Sequence, residues 1–409
     1  MHKYSLDKSK IKVLLLEGIH ENAVHYFQNA GYSNVTWLKT ALTAEELREK
    51  IRHVHIIGIR SRTQLTAEII AEARKLITIG CFSIGTNQVD LHAARLAGIP
   101  VFNAPFSNTR SVAEMVIAEA IMLIRRIPEK NHLARQGKWV KSAKHSYEIR
   151  GKTLGIIGYG HIGSQVSILA EALGMNIIYY DIEKKLSLGN ARPIRSLDEL
   201  LAQADIVTLH VPSTELTHKM ISAPQIARMK KGSYIINASR GDVLDYKAVA
   251  AALASGHLLG AAADVFPEEP SSEDEPFQCE LQHFPNTILT PHIGGSTAEA
   301  QANIGLEVAE KLVKYSDTGS TIGAVNFVEI SLPPNGNKQR FLHIHRNLPG
   351  VMQDINHVFT SHGINIAAQY LQTDAYIGYA IIDTDSEIDD TILKELKAVK
   401  HTIRARMLY

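Results

Sequence analysis

The sequence predicts an α/β chain in which two doubly wound parallel-sheet domains precede a small split-βαβ module. Short apolar runs alternate with amphipathic stretches over residues 11–105, and the alternation restarts at Leu154 and continues to Pro291. Strand and helix in alternation imply a parallel sheet covered on both faces. Beyond the turn-forming run Pro333-Pro334-Asn335-Gly336-Asn337 the order becomes strand, helix, strand, strand, helix, strand, the ferredoxin-like pattern. A length of 409 residues suits two to three domains at about 150 residues each.

Taken in order, the first domain is expected to place strands at 13–16, 35–38, 55–59, 77–80 and 101–102, with helices over 21–30, 43–53, 66–76 and 90–97. A long capped helix is expected from Ser111 to about residue 135, bent or broken at Pro128. Strands follow at 154–157, 177–180, 205–210, 234–237, 259–263 and 287–290, and an amphipathic helix over 297–316 should return to the first domain. The expected boundaries are therefore 1–108 with 297–332 for one domain, 109–296 for the second, 333–338 for a linker and 339–409 for the terminal module. A small module behind a linker suggests ligand sensing rather than chemistry.

Composition narrows the class. Hydrophobic residues at 45% and charged residues at 21% are ordinary for a soluble globular protein. A net charge of +1 gives no reason to invoke nucleic acid or an anionic membrane. Cys81 and Cys279 are too few for a disulfide framework. Lys12 and Glu17 interrupt the first apolar run, so no signal segment forms, and no window is apolar enough to span a membrane. The expected location is the cytoplasm, and no metal site is expected.

Chemistry enters at Gly158-Tyr159-Gly160-His161-Ile162-Gly163, directly after the apolar run 154–157. The G-x-G-x-x-G spacing lets the backbone turn tightly and approach a pyrophosphate, which then faces the positive end of the next helix. Asp181 closes the following apolar run, where a carboxylate accepts hydrogen bonds from a ribose diol and repels a 2′-phosphate. NAD is thus favoured over NADP. Three later segments put polar groups just past apolar strands, where open parallel sheets bind ligands: Asn237-Ala238-Ser239-Arg240-Gly241, Asp264 to Pro270, and Thr290-Pro291-His292-Ile293-Gly294-Gly295. Together they supply a cation, a carboxylate and an imidazole. That set suits oxidation of a 2-hydroxy acid, with histidine taking the hydroxyl proton and arginine gripping a carboxylate.

The set resembles that of the D-isomer-specific 2-hydroxyacid dehydrogenases. The resemblance implies a flavodoxin-like substrate domain, a Rossmann NAD domain, and catalytic roles for Arg240, Glu269 and His292. Glu268 is the adjacent alternative carboxylate, but the family pattern places the acid immediately before proline. Cofactor contacts are implied at Gly158, Gly160, His161, Ile162, Gly163, Asp181, Ala238, Ser239, Arg240, Asp264, His292, Gly294 and Gly295.

Two arginines in Ile59-Arg60-Ser61-Arg62-Thr63 exceed what one small carboxylate needs and suit a second anion such as phosphate. The stretches 80–90 and 103–114 extend the resemblance, over almost the whole chain, to the family's phosphoglycerate-oxidising branch. Arg60, Ser61, Arg62, Asn108 and Gln301 are then implied to bind 3-phosphoglycerate, with Lys141 of the basic loop 138–144 as a further candidate. Reduction of 2-oxoglutarate to 2-hydroxyglutarate is implied as a side activity. The terminal module resembles an ACT domain, with His345, Asn347 and Asn365 implied to hold L-serine as effector, the last across a dimer contact. A homotetramer built through NAD-domain and ACT-domain contacts is implied as well. Arg346 stands where many relatives carry an acid, and Gly336 lies between two asparagines where they tend to have a glycine pair. The alternatives are a dehydrogenase for an unphosphorylated hydroxy acid, or an NAD-sensing binding protein on the same fold.

Overall fold

The computed structural model describes residues 7–270, 274–332, 339–385 and 390–408. The expected linker 333–338 lies outside them. The chain divides into two compact units, one formed by Met1–Ser107 with Gln301–Tyr409 and the other by Asn108–Ala300.

In the first unit, strands β1 (Val13–Leu15), β2 (Val35–Trp37), β3 (Ile56–Ile59), β4 (Thr78–Cys81) and β5 (Val101–Phe102) form a parallel sheet in the order β2-β1-β3-β4-β5. Helices α1 (Glu21–Asn29), α2 (Ala44–Ile51), α3 (Ala67–Glu72) and α4 (Leu91–Leu96) connect them. Strands β1, β3 and β4 are buried throughout, as a sheet packed on both faces requires. The strand order is flavodoxin-like, and its direction of winding reverses between β1 and β3.

The second unit opens on α5 (Thr109–Ile124) and α6 (Ile127–Arg135) rather than one long helix. The break falls at Arg126, whose φ of 54° is left-handed, and Pro128 sits in the first turn of α6. A proline there loses no intrahelical hydrogen bond, so it starts the second helix and does not bend the first. Strands β6 (Thr153–Ile157), β7 (Asn176–Tyr180), β8 (Arg192–Pro193), β9 (Ile206–Leu209), β10 (Ser233–Asn237), β11 (Leu258–Ala263) and β12 (Thr287–Leu289) form a parallel sheet in the order β12-β11-β10-β9-β6-β7-β8. Helices α7 (His161–Ala172), α8 (Leu197–Gln203), α9 (Ala223–Arg228) and α10 (Tyr246–Ala254) complete the double winding.

Helix α11 (Ala298–Thr318) carries the chain back, burying Val308, Ala309 and Leu312 in the same core as Val13, Leu15 and Phe102. The terminal module follows: β13 (Gln339–Arg346), α12 (Val351–Ser361), β14 (Ile366–Thr373), β15 (Ile377–Thr384), α13 (Asp390–Ala398) and β16 (Thr402–Leu408). Its antiparallel sheet runs β14-β15-β13-β16, the ferredoxin-like order. One face packs α12 and α13 through Phe341, Ile355, Phe359, Ile382 and Leu396. The other contributes Leu342, Ile344, Tyr379 and Ile381 to the first unit's own core. The module is therefore docked along its sheet rather than merely tethered. Buried Arg340 pairs with Asp383 through bonds of 2.7 and 2.8 Å and donates to the Thr318 carbonyl at 3.1 Å, while Tyr379 Oη donates to the Gly319 carbonyl at 2.7 Å.

Candidate active site

The glycine turn leaves β6 with Gly158 at φ 90°. A Cβ there would fall 2.3 Å from the His210 carbonyl oxygen, and one at Gly163 would fall 2.2 Å from that of Gly158. A Cβ at Gly160 would meet nothing within 4 Å, so that face of the turn is an open cradle. His161 and half-buried Ile162 begin α7, whose N-cap residue Gly160 supplies no side-chain oxygen to the helix's positive end. Asp181 ties the end of β7 to the turn: Oδ2 accepts from the Tyr159 N–H at 2.8 Å and Oδ1 from the Glu183 N–H at 2.9 Å. An ionised carboxylate has about four acceptor sites, so two remain for a ribose diol. Cradle, helix end and carboxylate fit a dinucleotide.

Asn237, at the end of β10, shapes the next segment. Its Oδ1 accepts from Ser239 N–H at 3.1 Å and Ser239 Oγ at 2.9 Å, and its Nδ2 donates to the Arg240 carbonyl at 2.9 Å. Half-buried Ala238 and buried Ser239 lie in this turn, and Arg240 Nη1 donates to the Ser239 carbonyl at 2.6 Å. Past β11, buried Asp264 clasps the segment after β12. It accepts from Thr290 Oγ1 at 2.6 Å, from the Ile293 N–H at 2.8 Å and from the Gly294 N–H at 2.7 Å. His292 lies inside that clasp at φ 54°. Its Nδ1 is 2.8 Å from Glu269 Oε2, while Glu269 Oε1 accepts from the Phe266 N–H at 3.1 Å. Glu269, the acid next to proline, is the one that reaches the ring.

Electrostatics follow from these contacts. The hydrogen bond to Glu269 is the main force raising the His292 pKa; burial opposes it, the charges of Glu269 and Asp264 assist, and Arg240 opposes. Burial pushes Glu269 up, but the bond and charge of His292, the Phe266 amide and Arg240 outweigh it and hold the carboxyl below its usual range. Burial raises Asp264 despite its three hydrogen bonds.

Two groups near these segments escaped sequence reading. Glu119 on α5 is buried, and both its oxygens lack a hydrogen-bond partner among the described residues. Burial, then the charge of Asp264, pushes it up to about 8, so it is neutral at pH 7. The signal was a lone acid within the apolar stretch 116–124. His210, whose carbonyl backs the glycine turn, is buried and driven down to about 3, with Nε2 3.0 Å from Thr208 Oγ1.

The first unit presents four of the implied substrate residues. Arg60, Ser61 and Arg62 follow β3 at the winding reversal, Arg60 half-buried and the other two exposed. Gln301 is half-buried in the first turns of α11. Asn108 and Lys141 belong to the second unit. Asn108 is buried, its Oδ1 without a partner among the described residues, and Lys141 stands exposed on the loop after α6. A Cβ on Gly295 would fall 2.7 Å from Asn108 Nδ2.

In the terminal module, His345 is buried over Gly378, where a Cβ would fall 2.3 Å from its Nε2. Its Nδ1 lies 3.4 Å from that of His343, and burial lowers the pKa of both rings. Asn347 donates from Nδ2 to the Asp374 carbonyl at 2.7 Å. Asn365 is exposed before β14, whose Ile366 pairs with Thr384, whereas His345 pairs with Gly378. That separation along β15 is roughly 20 Å, so one chain does not bring Asn365 to the other two. The turn carrying Asp374 also touches α4: Asp374 Oδ2 lies 3.7 Å from Arg95 Nη1, and the Tyr376 ring meets His92 edge-on at 5.2 Å.

Residues 117–294 match the NAD binding domain of the D-isomer specific 2-hydroxyacid dehydrogenases, and the chain belongs to that family. Residues 341–404 match an AHAS small subunit-like ACT domain. Among its relatives, the D-3-phosphoglycerate dehydrogenases of Haemophilus influenzae and Escherichia coli are each 57% identical over 100% of both chains. D-3-phosphoglycerate dehydrogenase 1 of Saccharomyces cerevisiae is 48% identical over 98% of this chain and 88% of its own. The crystal structure of D-lactate dehydrogenase from Aquifex aeolicus complexed with NAD and lactic acid superposes with a TM-score of 0.67 at 28% identity, covering 78% of this chain and 100% of that one. Among the described residues, no helix is long and apolar enough to cross a membrane, and no cluster of His, Cys, Asp and Glu could hold a metal.

Proposed function

We propose that this chain is a cytoplasmic enzyme that oxidises D-3-phosphoglycerate to 3-phosphohydroxypyruvate with NAD, the first step of L-serine biosynthesis. The observation that carries the reading is the His292–Glu269 pair at 2.8 Å, on strand ends beside the dinucleotide cradle, in a chain aligned end to end with relatives of that name. NAD, when bound, accepts the hydride from C2 of the substrate. Because Nδ1 of His292 is committed to Glu269, Nε2 is the atom that takes the hydroxyl proton, and that returns it in the reverse direction. Glu269 holds the ring's orientation and stabilises the imidazolium so formed. Arg240 orients the substrate carboxylate and polarises the forming carbonyl. Arg60, Ser61, Arg62, Asn108 and Gln301 bind the substrate, with Lys141 a further candidate for its phosphate, and the two arginines accept the second carboxylate of 2-oxoglutarate in a side reduction.

In this reading residues 1–108 with 297–332 bind substrate, 109–296 bind NAD, 333–338 link, and 339–409 regulate. His345 and Asn347 of one chain and Asn365 of a second copy take L-serine within a homotetramer. The test is NADH oxidation by the purified protein with 3-phosphohydroxypyruvate, with and without L-serine. Rapid turnover suppressed by serine is expected. Turnover indifferent to serine overturns the effector assignment, and turnover only on unphosphorylated acids overturns the substrate.

A further inference from the structure

We propose that Glu17 is the positioning residue of the anion-binding loop, its buried carboxylate holding the backbone of residues 60–63 in the shape from which Arg60, Ser61 and Arg62 reach the substrate. The inference deepens the phosphoglycerate reading and rests on it.

Glu17 follows β1 and the loop follows β3, so the two flank the winding reversal at which open α/β sheets bind ligands. Oε1 accepts from the Arg60 N–H at 3.2 Å and the Thr63 N–H at 2.9 Å, and Oε2 accepts from the Arg62 N–H at 2.9 Å. The Glu17 carbonyl accepts from Arg60 Nη1 at 3.4 Å. From the other side Gln88 Nε2 donates to the Arg60 carbonyl at 2.7 Å. Thus three of the four N–H groups in the loop converge on one carboxylate, with nothing helical or sheet-like to satisfy them otherwise.

Two further observations separate this from an ordinary turn. Glu17 has φ 63°, a left-handed conformation that side chains other than glycine rarely adopt, and such strain collects at ligand clamps. Its carboxylate is also not spent on the nearby cations. Among the described residues neither Arg60 nor Arg62 forms an ion pair with a carboxylate. The carboxylate binds loop backbone and is not paired with either guanidinium group.

The test uses Glu17→Gln, which keeps the length but turns an N–H₂ toward loop N–H groups. NADH-dependent reduction is measured with 3-phosphohydroxypyruvate and with unphosphorylated hydroxypyruvate. For the variant, kcat/KM on the phosphorylated acid should fall about 30-fold, mainly through KM, as loss of a buried charge-assisted contact implies. On hydroxypyruvate it should change by less than about 3-fold, since that acid lacks the second anion. In an Arg60→Ala, Arg62→Ala background the same substitution should add less than about 2-fold, because it acts through those side chains. Equal losses on both acids, or full additivity, would mean a general structural defect and overturn the proposal, as would an unchanged preference. Should Glu17→Gln fail to fold, Glu17→Asp keeps the charge and shortens the reach, and is expected to lose the preference in the same way; its retention overturns the proposal. The wild-type preference is measured first: its absence overturns the phosphoglycerate reading itself, before any variant is made.

Discussion

The Nδ1 atom of His292 lies 2.8 Å from Oε2 of Glu269, so Nε2 is the ring nitrogen that this bond does not engage. The bond favours the charged imidazole, so His292 keeps its proton to higher pH than a free histidine.

A first prediction follows for pH. On the proposed mechanism, reduction of the keto acid needs protonated His292, so its rate should persist above the ordinary histidine value and fall as pH rises through the raised pKa. Oxidation needs the neutral ring and should show the mirror-image rise. Glu269→Gln removes the counter-charge and leaves at most a neutral amide oxygen for the charged ring, so both limbs should move to lower pH, with kcat reduced about 10²-fold. Rate profiles against pH in the two directions check this, and limbs that stay in place refute it.

Glu119 gives a stability prediction. Its pKa in the folded chain, about 8, lies above the ordinary 4.5. The contribution is therefore fully present below the unfolded value and is lost as pH rises through the folded one. Between pH 5 and 8 the loss should be on the order of several kcal/mol. Glu119→Gln, neutral at every pH, should remove that slope and melt higher than wild type at pH 8, as thermal unfolding against pH would reveal.

Asp264→Asn keeps shape but offers one acceptor oxygen to three donors. Loss of the clasp should cost about 1–3 kcal/mol of stability and lower kcat by releasing the turn that holds His292. It also removes the charge that helps keep Glu119 neutral, so the Glu119 titration should move to lower pH. Chemical denaturation and the pH dependence of melting in this variant read out the two effects separately.

The cradle predicts a steric result. Gly158→Ala places a methyl 2.3 Å from the His210 carbonyl at a φ of 90° that alanine resists. NAD affinity, measured by calorimetry, should fall more than about 10-fold, and Gly160→Ala, whose methyl meets no protein atom but enters the cradle, should weaken NAD as well while leaving the melting temperature unchanged.

Regulation has a contact to test as well. The Asn347 amide holds the Asp374 carbonyl, and the same turn meets His92 and Arg95 of α4. With L-serine as the proposed effector, Tyr376→Ala should leave uninhibited turnover unchanged and raise the serine concentration for half-inhibition several-fold. An unchanged inhibition curve would exclude the turn as the route.

Much of this architecture was legible because its signals are local. Apolar alternation marked both parallel sheets and the glycine spacing marked the turn after β6, whereas Glu269 was chosen over Glu268 only through the family resemblance. What escaped was long-range or conformational. The left-handed Arg126 carries no local mark, so the break between α5 and α6 was laid on Pro128 instead. Glu17 bonds a segment more than forty residues ahead, and Arg340 finds Asp383 across a sheet, so neither pairing leaves a pattern in nearby residues. The same holds for the apolar face that docks the terminal module, since alternation shows that a strand has two faces but not what covers the second.

The Glu17 carboxylate touches its loop through main-chain N–H groups alone, contacts that any side chain except proline at positions 60 to 62 can keep. The letters at those positions can therefore change singly without the loop losing its shape. A scaffold of this kind can trade one acid for another over generations by point substitution alone, its inherited backbone serving as a socket into which new specificities are fitted.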